Sequence, residues 1–298
     1  MYYHQIKSLN DSRVRSLFGL TKAQLGALMP VVLPLLCERR EQERLAKPGR
    51  KRAPGAGRKR KLTPLREVLL TLVYLRHNVS HEVCGRLFGV SADVSEDTFH
   101  AVIQALKQTC PSDRWDAQKR WLKGEPSWRP DEEDLLLIDS FETSVPRPSV
   151  PEKQKRLYSG KKKRHTLKTQ IVTDKTGEIV CIDPGHRGPA SDKTLCMTSG
   201  VLEAFPSIPK QADLGYAGVP GLILPHKRKN GRKVKNELTD EQKRDNRRLA
   251  SIRVHVEHGI RRVKGWKIMR ENYRLATGLF PMIAHATVGL VQLARMCP

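Results

Sequence analysis

The runs LLLIDSFE (135–142), TLKTQIVTD (166–174) and EIVCIDP (178–184) decide the fold of this 298-residue chain. Each run is dominated by apolar and β-branched residues, which favour extended backbone. A turn at Lys175-Thr176-Gly177 separates the second run from the third. Because so short a connection can join only antiparallel neighbours, we expect those two strands to form a hairpin.

Helices and further strands follow these three runs along the chain. Helical spacing covers DKTLCMTSGVLEAF (192–205), a short segment ends in QADLGY (211–216), and GLILPHK (221–227) is typical of a strand. A long charged helix is expected over about 237–264. Three strands, a helix, two more strands and a final helix predict a mixed α/β domain.

A compact helical unit is predicted ahead of this domain, at residues 62–107. Thr63 and Pro64 form a helix start, as cap and first helical residue. Ser80 caps the next helix, and the turn around Gly89 leads into another helix at about 93–107. This is the pattern of a helix-turn-helix.

The second helix of that motif is acidic where a base-reading helix normally enters the groove. Asp93, Glu96 and Asp97 crowd its first turn, which suits the helix dipole but repels phosphate. Dimerisation or docking is therefore as consistent with this helix as reading DNA.

Residues 1–61 are predicted to form a helix from Thr21 to about Leu45, kinked by two prolines, and then a basic linker. The linker AKPGRKRAPGAGRKRK (46–61) carries eight cations among Pro and Gly, so it cannot build a core. We expect it to lie along DNA, with phosphate contacts from Arg50, Lys51, Arg58 and Lys59; the alternative is a solvated tether. The domain bounds are thus 1–61, 62–130 and 131–298.

Composition narrows the class of partner. The chain has 55 Lys and Arg against 31 Asp and Glu, a net charge of +24, which indicates a polyanion such as nucleic acid. We find no basic amphipathic helix typical of membrane binding, no spanning stretch and no signal-peptide pattern. The six cysteines include no CxxC pair, which argues against structural zinc. We expect a protein of the cytoplasm, associated with the nucleoid.

Three carboxylates stand out by their context. Asp139 interrupts an apolar strand, Asp213 precedes a sharp Gly-Tyr-Ala-Gly turn, and Glu257 lies on the last helix of the core. Together they could hold a pair of hard cations such as Mg²⁺, which clamp the attacking and leaving oxygens of a phosphoryl transfer. Taken singly, each also has an ordinary interpretation: an Asp at a strand end forms turns, and Glu257 has Arg253 and Arg261 four residues away on either side.

At these residues the chain resembles the DDE-superfamily transposases of the insertion-sequence 5-like group. The resemblance is carried by LLLIDSFETSVPRPS (135–149), YSGKKKRHTLKTQIV (158–172), ADLGYAG (212–218) and NRRLASIRVHVEHGIRRVKGW (246–266), and it extends to the helix-turn-helix region. The chain departs from the family in having Ser191-Asp192 for a frequent His-Asp, and ADLGYAG for a commoner Asp-Lys-Gly-Tyr form.

The resemblance implies a ribonuclease H-like mixed sheet flanked by helices, preceded in the chain by the small all-α helix-turn-helix domain. It also implies that Asp139, Asp213 and Glu257 are the catalytic and metal-binding residues. It places the family's Arg-x3-Glu-x6-Lys arrangement on Arg253, Glu257 and Lys264, where related families have a Tyr at Ala250. Asp139 would bridge two Mg²⁺ or Mn²⁺ ions. The residues expected to contact phosphate are Arg253, Arg261, Lys264, Lys161, Lys162, Lys163 and Arg164.

The implied activity is cutting DNA at the terminal inverted repeats of an element and joining the 3′-OH to target DNA, by a homodimer or larger homo-oligomer on paired ends. Three other functions stay open from the residues alone. The chain could be a non-catalytic DNA-binding protein or a decayed transposase copy, a structure-specific nuclease that never joins, or an RNA-processing enzyme. Only the last would prefer a substrate with 2′-OH groups.

Overall fold

The computed structural model describes residues 8–46, 60–109, 134–230 and 235–297, which fall into two compact units. One unit takes Met1–Pro111, Gly265–Glu271 and Met282–Pro298, and the other takes Ser112–Lys264 and Asn272–Pro281. The predicted bounds at 61/62 and 130/131 lie beside or within stretches outside the described residues, so they stay predictions.

The first unit begins with helices whose ends the sequence specifies locally. The helices are α1 (Asp11–Phe18), α2 (Lys22–Leu45), α3 (Pro64–His77), α4 (His81–Phe88) and α5 (Ala92–Thr109). Thr21 caps α2 in a reciprocal pair with Gln24, and Thr63 caps α3 with Pro64 as its first residue. The predicted cap residues and the helix-turn-helix at α4–α5 are confirmed.

The turn between α4 and α5 depends on two glycines. Gly89 ends α4 with a left-handed φ of 74°, which favours glycine. A Cβ at Gly85 would lie 2.6 Å from the carbonyl oxygen of Val90, so only glycine allows the chain to pass this close. α3, with every residue from Glu67 to Leu75 buried, forms the centre of this unit.

The second unit is built on a mixed sheet with helices between its strands. Its elements are β1 (Leu136–Ser144), α6 (Pro151–Leu157), β2 (Tyr158–Ser159), β3 (Arg164–Thr173), β4 (Ile179–Arg187), α7 (Asp192–Thr198), α8 (Val201–Ala204), β5 (Lys210–Gln211), β6 (Leu222–Ile223), β7 (Lys229–Asn230), β8 (Lys235–Asn236) and α9 (Asp240–Lys264). β7 and β8 form a separate two-stranded ribbon.

The strand order of the main sheet is β4–β3–β1–β5–β6, and β2 also pairs with β3. β3 is antiparallel to both β1 and β4, whereas β5 is parallel to β1 and β6 is parallel to β5. An antiparallel meander extended by parallel strands, with helices in the connections, confirms the ribonuclease H-like mixed α/β prediction.

Two predicted elements are shorter than expected. The helix expected over 192–205 is interrupted at Gly200, whose φ of 73° is left-handed, so it becomes α7 and α8. The strand expected over 221–227 pairs only at Leu222 and Ile223. Its continuation contains Pro225, which has no N–H for a sheet ladder.

Two further helices complete the described chain: α10 (Lys267–Arg270) and α11 (Phe280–Met296). The stretch Thr277–Met296 is long and apolar enough to cross a membrane by length and composition, and so are α1 and α2 taken as one bent pair. No such stretch is predicted from the sequence, where prolines break the longest apolar run near the start of the chain. Just over half of Thr277–Met296 is buried in the protein, as in the core helix of a soluble protein.

Candidate active site

Strand register places Asp139 and Asp213 at the same edge of the sheet. Leu137 on β1 pairs with Gln211 on the parallel strand β5, and each aspartate lies two residues beyond its member of this pair. Parallel strands have their carboxyl ends at one edge, and residues two apart lie on one face of a strand. The pairing of β1 with β5 therefore brings the carboxylates of Asp139 and Asp213 to the same edge of the sheet.

The Asp139 carboxyl group is in an environment that opposes its ionisation. Burial raises its pKa to about 6; Asp213 and Asp192 act in the same direction. The Ser140 backbone N–H, which donates to Asp139 Oδ1 at 2.7 Å, and Arg253 act in the opposite direction. A buried carboxylate beside two others needs positive charge to stay ionised.

Glu257 reaches this edge because α9 packs closely on the sheet. A Cβ at Gly259 would lie 3.1 Å from the Thr173 methyl group, and one at Gly177 would lie 2.8 Å from the His255 carbonyl oxygen. These glycines let the helix and strands approach. Glu257 forms an ion pair with Arg253 at 3.2 Å, and 47% of the Glu257 side chain is exposed. It is thus accessible and not locked in a buried pair.

A cavity of about 300 Å³ joins β1, β3, α7 and α9. Its lining residues are carboxylates and cations around a small apolar patch: Asp139, Ser140, Phe141, Glu142, Lys161, Lys162, Lys168, Asp192, Glu257, Ile260 and Lys264. Lys264 Nζ lies 5.1 Å from the centre of the Phe141 ring, and burial lowers the pKa of Lys264, as does Lys162. Negative charge is concentrated near the sheet edge, with cations on several sides.

The other predicted phosphate contacts fall into three groups. Lys163, Arg164 and Arg261 are exposed and are not among the residues that line the cavity. Arg253 lies beside the site through its ion pair with Glu257. Arg50, Lys51, Arg58 and Lys59 lie outside the described residues.

The fold brings to this place several residues that were not assigned to the site from the sequence. Asp192 and Lys168 form a 3.2 Å ion pair inside the cavity, and Ser140 Oγ donates to Asp192 at 2.5 Å. The hydroxyl of Tyr216 is buried near the carboxylates. The available signals were a lysine within the buried run TLKTQIV and the departure from the family pattern at Ser191-Asp192.

The donor set fits hard divalent cations in kind, because carboxylate oxygens are the ligands that Mg²⁺ and Mn²⁺ prefer. Gly215 provides the room: a Cβ there would lie 2.9 Å from Asp213 Oδ1 and 3.0 Å from Asp192 Oδ2. Within the described part of the chain, no three His, Cys, Asp or Glu side chains are close enough to hold one ion. The residues fit such an ion provided that side chains adjust or a substrate supplies further oxygens.

The chain matches two family models. The model of the DDE superfamily endonucleases covers residues 138–292, more than half of the chain, and the model of the helix-turn-helix of DDE superfamily endonucleases covers residues 60–112. These are the regions in which the sheet, α9 and the helix-turn-helix lie.

Relatives are similar over nearly their whole lengths. The chain is 29% identical to a protein named as the transposase of insertion sequence element IS702 in Microchaete diplosiphon, over 97% of each chain. It is 25% identical to one named for element IS112 in Streptomyces albus G, over 98% of this chain and 97% of the other. A synaptic complex of piggyBac transposase with hairpin DNA aligns over 98% of this chain and 76% of that one at 11% identity; its TM-score of 0.41 is too low to add to the argument.

Proposed function

Because the chain belongs to the DDE superfamily of endonucleases, we propose that it is a transposase that cuts DNA at the ends of an insertion element and joins the freed 3′-OH to target DNA. Both steps are phosphoryl transfers, in which a hydroxyl oxygen attacks phosphorus and the bond to the leaving oxygen breaks in line. Water is the nucleophile in the first step, and the 3′-OH in the second.

The observation that carries this proposal is the shared register of Asp139 and Asp213 beside the cavity that Glu257 lines. A turn-forming aspartate needs no partner carboxylate, whereas these two lie at one sheet edge with a helical glutamate nearby. Such an arrangement is destabilising on its own, since like charges in a partly desolvated site raise each other's pKa. Cation binding provides a physical reason for keeping it.

Asp139, Asp213 and Glu257 are the residues that would hold two Mg²⁺ or Mn²⁺ ions. When bound, the cations would supply charge stabilisation for the attacking and leaving oxygens. The chain's own part is to fix the carboxylates, and β1 does this for Asp139 through the Ser140 N–H. Arg253 holds Glu257 from one side and leaves the other side of that carboxylate accessible.

Cations around the cavity are suited to the DNA backbone. Lys264 lies over the Phe141 ring, and we assign it with Arg253 to positioning the scissile phosphate. Lys161 and Lys162 border the cavity and would track the neighbouring phosphates. The exposed Lys163, Arg164 and Arg261 would extend this contact along the DNA.

The remaining parts of the proposal concern the whole assembly. The partner is DNA, as terminal repeats and as target, and Arg50, Lys51, Arg58 and Lys59 would add phosphate contacts from the basic linker. A homodimer or larger homo-oligomer would hold two element ends together, and the protein would act in the cytoplasm at the nucleoid.

Cleavage of DNA carrying the element's own ends tests the proposal. The wild type should cut with Mg²⁺ and not with EDTA, and Asp213→Ala should bind DNA without cutting it. Asp183→Asn is the matched control, because Asp183 lies on β4, pairs with His186 at 2.7 Å and does not line the cavity. Joined products, scored on the same gels, separate a transposase from a nuclease that only cuts.

Two results would contradict the proposal. Cutting that survives in Asp213→Ala would remove Asp213 from the site. A folded wild type that binds its own ends and cuts in neither Mg²⁺ nor Mn²⁺ would leave a DNA-binding protein or a decayed copy as the better interpretation.

A further inference from the structure

Asp192 also lines the cavity, but it is not one of the three carboxylates assigned to the cations. It is the first residue of α7, whose preceding Ser191 accepts the Thr194 N–H at 3.0 Å and so fixes the start of the helix. The side chain is 20% exposed and lines the same cavity as Asp139 and Glu257. The fold thus delivers a further carboxylate from a separate element.

One oxygen of Asp192 is held by two donors from the sheet. Oδ1 accepts from Ser140 Oγ at 2.5 Å and from Lys168 Nζ at 3.2 Å. Lys168 is itself buried, with 9% of its side chain exposed, and also donates to the Ala190 carbonyl oxygen at 2.6 Å. Two of the three ammonium hydrogens of Lys168 are thus directed at protein oxygens, so this lysine holds Asp192 in place.

The other oxygen lies against the Asp213 loop. A Cβ at Gly215 would lie 3.0 Å from Asp192 Oδ2 and 2.9 Å from Asp213 Oδ1, so these two oxygens border the same small volume. Asp213 Oδ1 accepts the Gly215 N–H at 2.8 Å, which fixes it there. Two carboxylates from α7 and the β5 end therefore converge at a position that glycine keeps open.

A buried hydroxyl provides an independent sign of an unfilled site. Tyr216 is fully buried, and its hydroxyl has no hydrogen-bond partner among the described residues. Burial raises the pKa of the Tyr216 hydroxyl, and the nearby carboxylates of Asp192, Asp139 and Asp213 raise it further. Buried hydroxyls are normally hydrogen-bonded, so this one indicates a ligand or a rearranged carboxylate that completes the cluster.

We propose that Asp192 is a fourth carboxylate of the divalent-cation site, positioned by Ser140 and Lys168. The inference rests on the proposed function, since it adds a residue to the same site. Asp192 would bind through Oδ2, on the side of Asp213, while Lys168 holds Oδ1 and offsets one negative charge of the cluster. The Tyr216 hydroxyl would donate to a carboxylate of the completed site.

The test measures Mn²⁺ binding by the metal-free full chain in the absence of DNA, by calorimetry. Asp192→Asn keeps the shape of the side chain and removes its charge, Asp139→Asn is the positive control, and Asp183→Asn is the control outside the cavity. We expect Asp192→Asn to weaken Mn²⁺ binding by about 10-fold or more, as the loss of a ligand or its support does. Asp183→Asn should stay within about 2-fold of the wild type.

The possible outcomes separate this inference from the function on which it rests. Wild-type binding that Asp139→Asn loses and Asp192→Asn keeps within 2-fold would overturn the fourth carboxylate alone. No Mn²⁺ binding by the wild type, either alone or with DNA that carries the element's own ends, would overturn both. If Asp192→Asn does not fold, Asp192→Glu is measured instead: weaker binding by a folded protein supports the inference, and unchanged binding overturns it.

Discussion

Asp139 should destabilise the metal-free protein, and replacing it with asparagine should stabilise the fold. Burial raises the Asp139 pKa from 3.8 to about 6, a change of about 2 units, and each unit corresponds to about 1.4 kcal/mol. Asparagine cannot ionise, and its side-chain oxygen can still accept the Ser140 N–H. The variant should therefore be more stable than the wild type by about 3 kcal/mol at neutral pH.

The sign and the pH window follow from the raised pKa. Below the unfolded pKa, aspartic acid is protonated in both states and Asp139→Asn gains nothing. As pH rises from about 4 to about 6, the Asp139 carboxyl group ionises in the unfolded chain but stays largely protonated in the folded protein. The wild type therefore loses stability relative to Asp139→Asn. The gain should be about 1 kcal/mol near pH 4.5 and reach its full size of about 3 kcal/mol above pH 6.

Urea unfolding in EDTA, followed by circular dichroism at about pH 4.5 and about pH 7.5, measures this difference directly. The gain should shrink when Mg²⁺ is added, because the cation stabilises the folded wild type by mass action and not the variant. A gain of equal size at both pH values, or a variant less stable than the wild type at neutral pH, would refute the electrostatic argument.

Three further predictions concern the same candidate site. Gly215→Ala should weaken Mn²⁺ binding by about 10-fold, because its Cβ would displace two aspartate oxygens. Gly278→Ala is the control and should leave binding unchanged, since a Cβ there meets nothing within 4 Å. Calorimetry measures the Mn²⁺ affinity of both variants. Lys264→Met should slow single-turnover cleavage by roughly 10²-fold. Because burial lowers the Lys264 pKa, wild-type cleavage should decline with rising pH before the usual lysine range is reached, and Lys264→Arg should restore cleavage there. A pH profile of cleavage tests both expectations. Neutralising Lys161 and Lys162 together should reduce the slope of log affinity against log salt by about 2, while neutralising the two lysines of α6 should leave it unchanged; DNA titrations at several salt concentrations measure it.

The sequence predicts those elements whose signals are local. The caps at Thr63 and Ser80, the buried run of α3 and the hairpin between β3 and β4 depend on residues within a few positions of each other. The order of strands and helices then limits the topology to a few arrangements. The short strand at 222–223 and the break at Gly200 were missed although each has a local signal, Pro225 and the glycine itself, because one such residue inside a periodic run does not decide whether the element ends there.

The candidate carboxylates can be picked out from the sequence, whereas the groups that hold them cannot. Asp139 and Asp213 interrupt apolar segments, so they are visible in the sequence. Lys168 lies in a strand with alternating pattern, and nothing local shows that its ammonium meets a carboxylate 24 residues later. Such pairings are set by the β1–β3 register and by the start of α7, which no short window of sequence specifies.

The placement of opposite charges distinguishes a catalytic site from a surface that only binds DNA. A protein that only binds phosphates gains from lysines and loses from carboxylates next to them, because a carboxylate repels the same phosphate that a lysine attracts. Here Lys161, Lys162 and Lys264 share one cavity with Asp139 and Glu257, and burial makes one of these carboxylates costly to ionise. The protein keeps these carboxylates beside its lysines although ionising Asp139 costs free energy. Under the proposed function, a divalent cation between carboxylate and phosphate would turn that repulsion into attraction on both sides, and the cavity would then suit phosphoryl transfer better than simple binding.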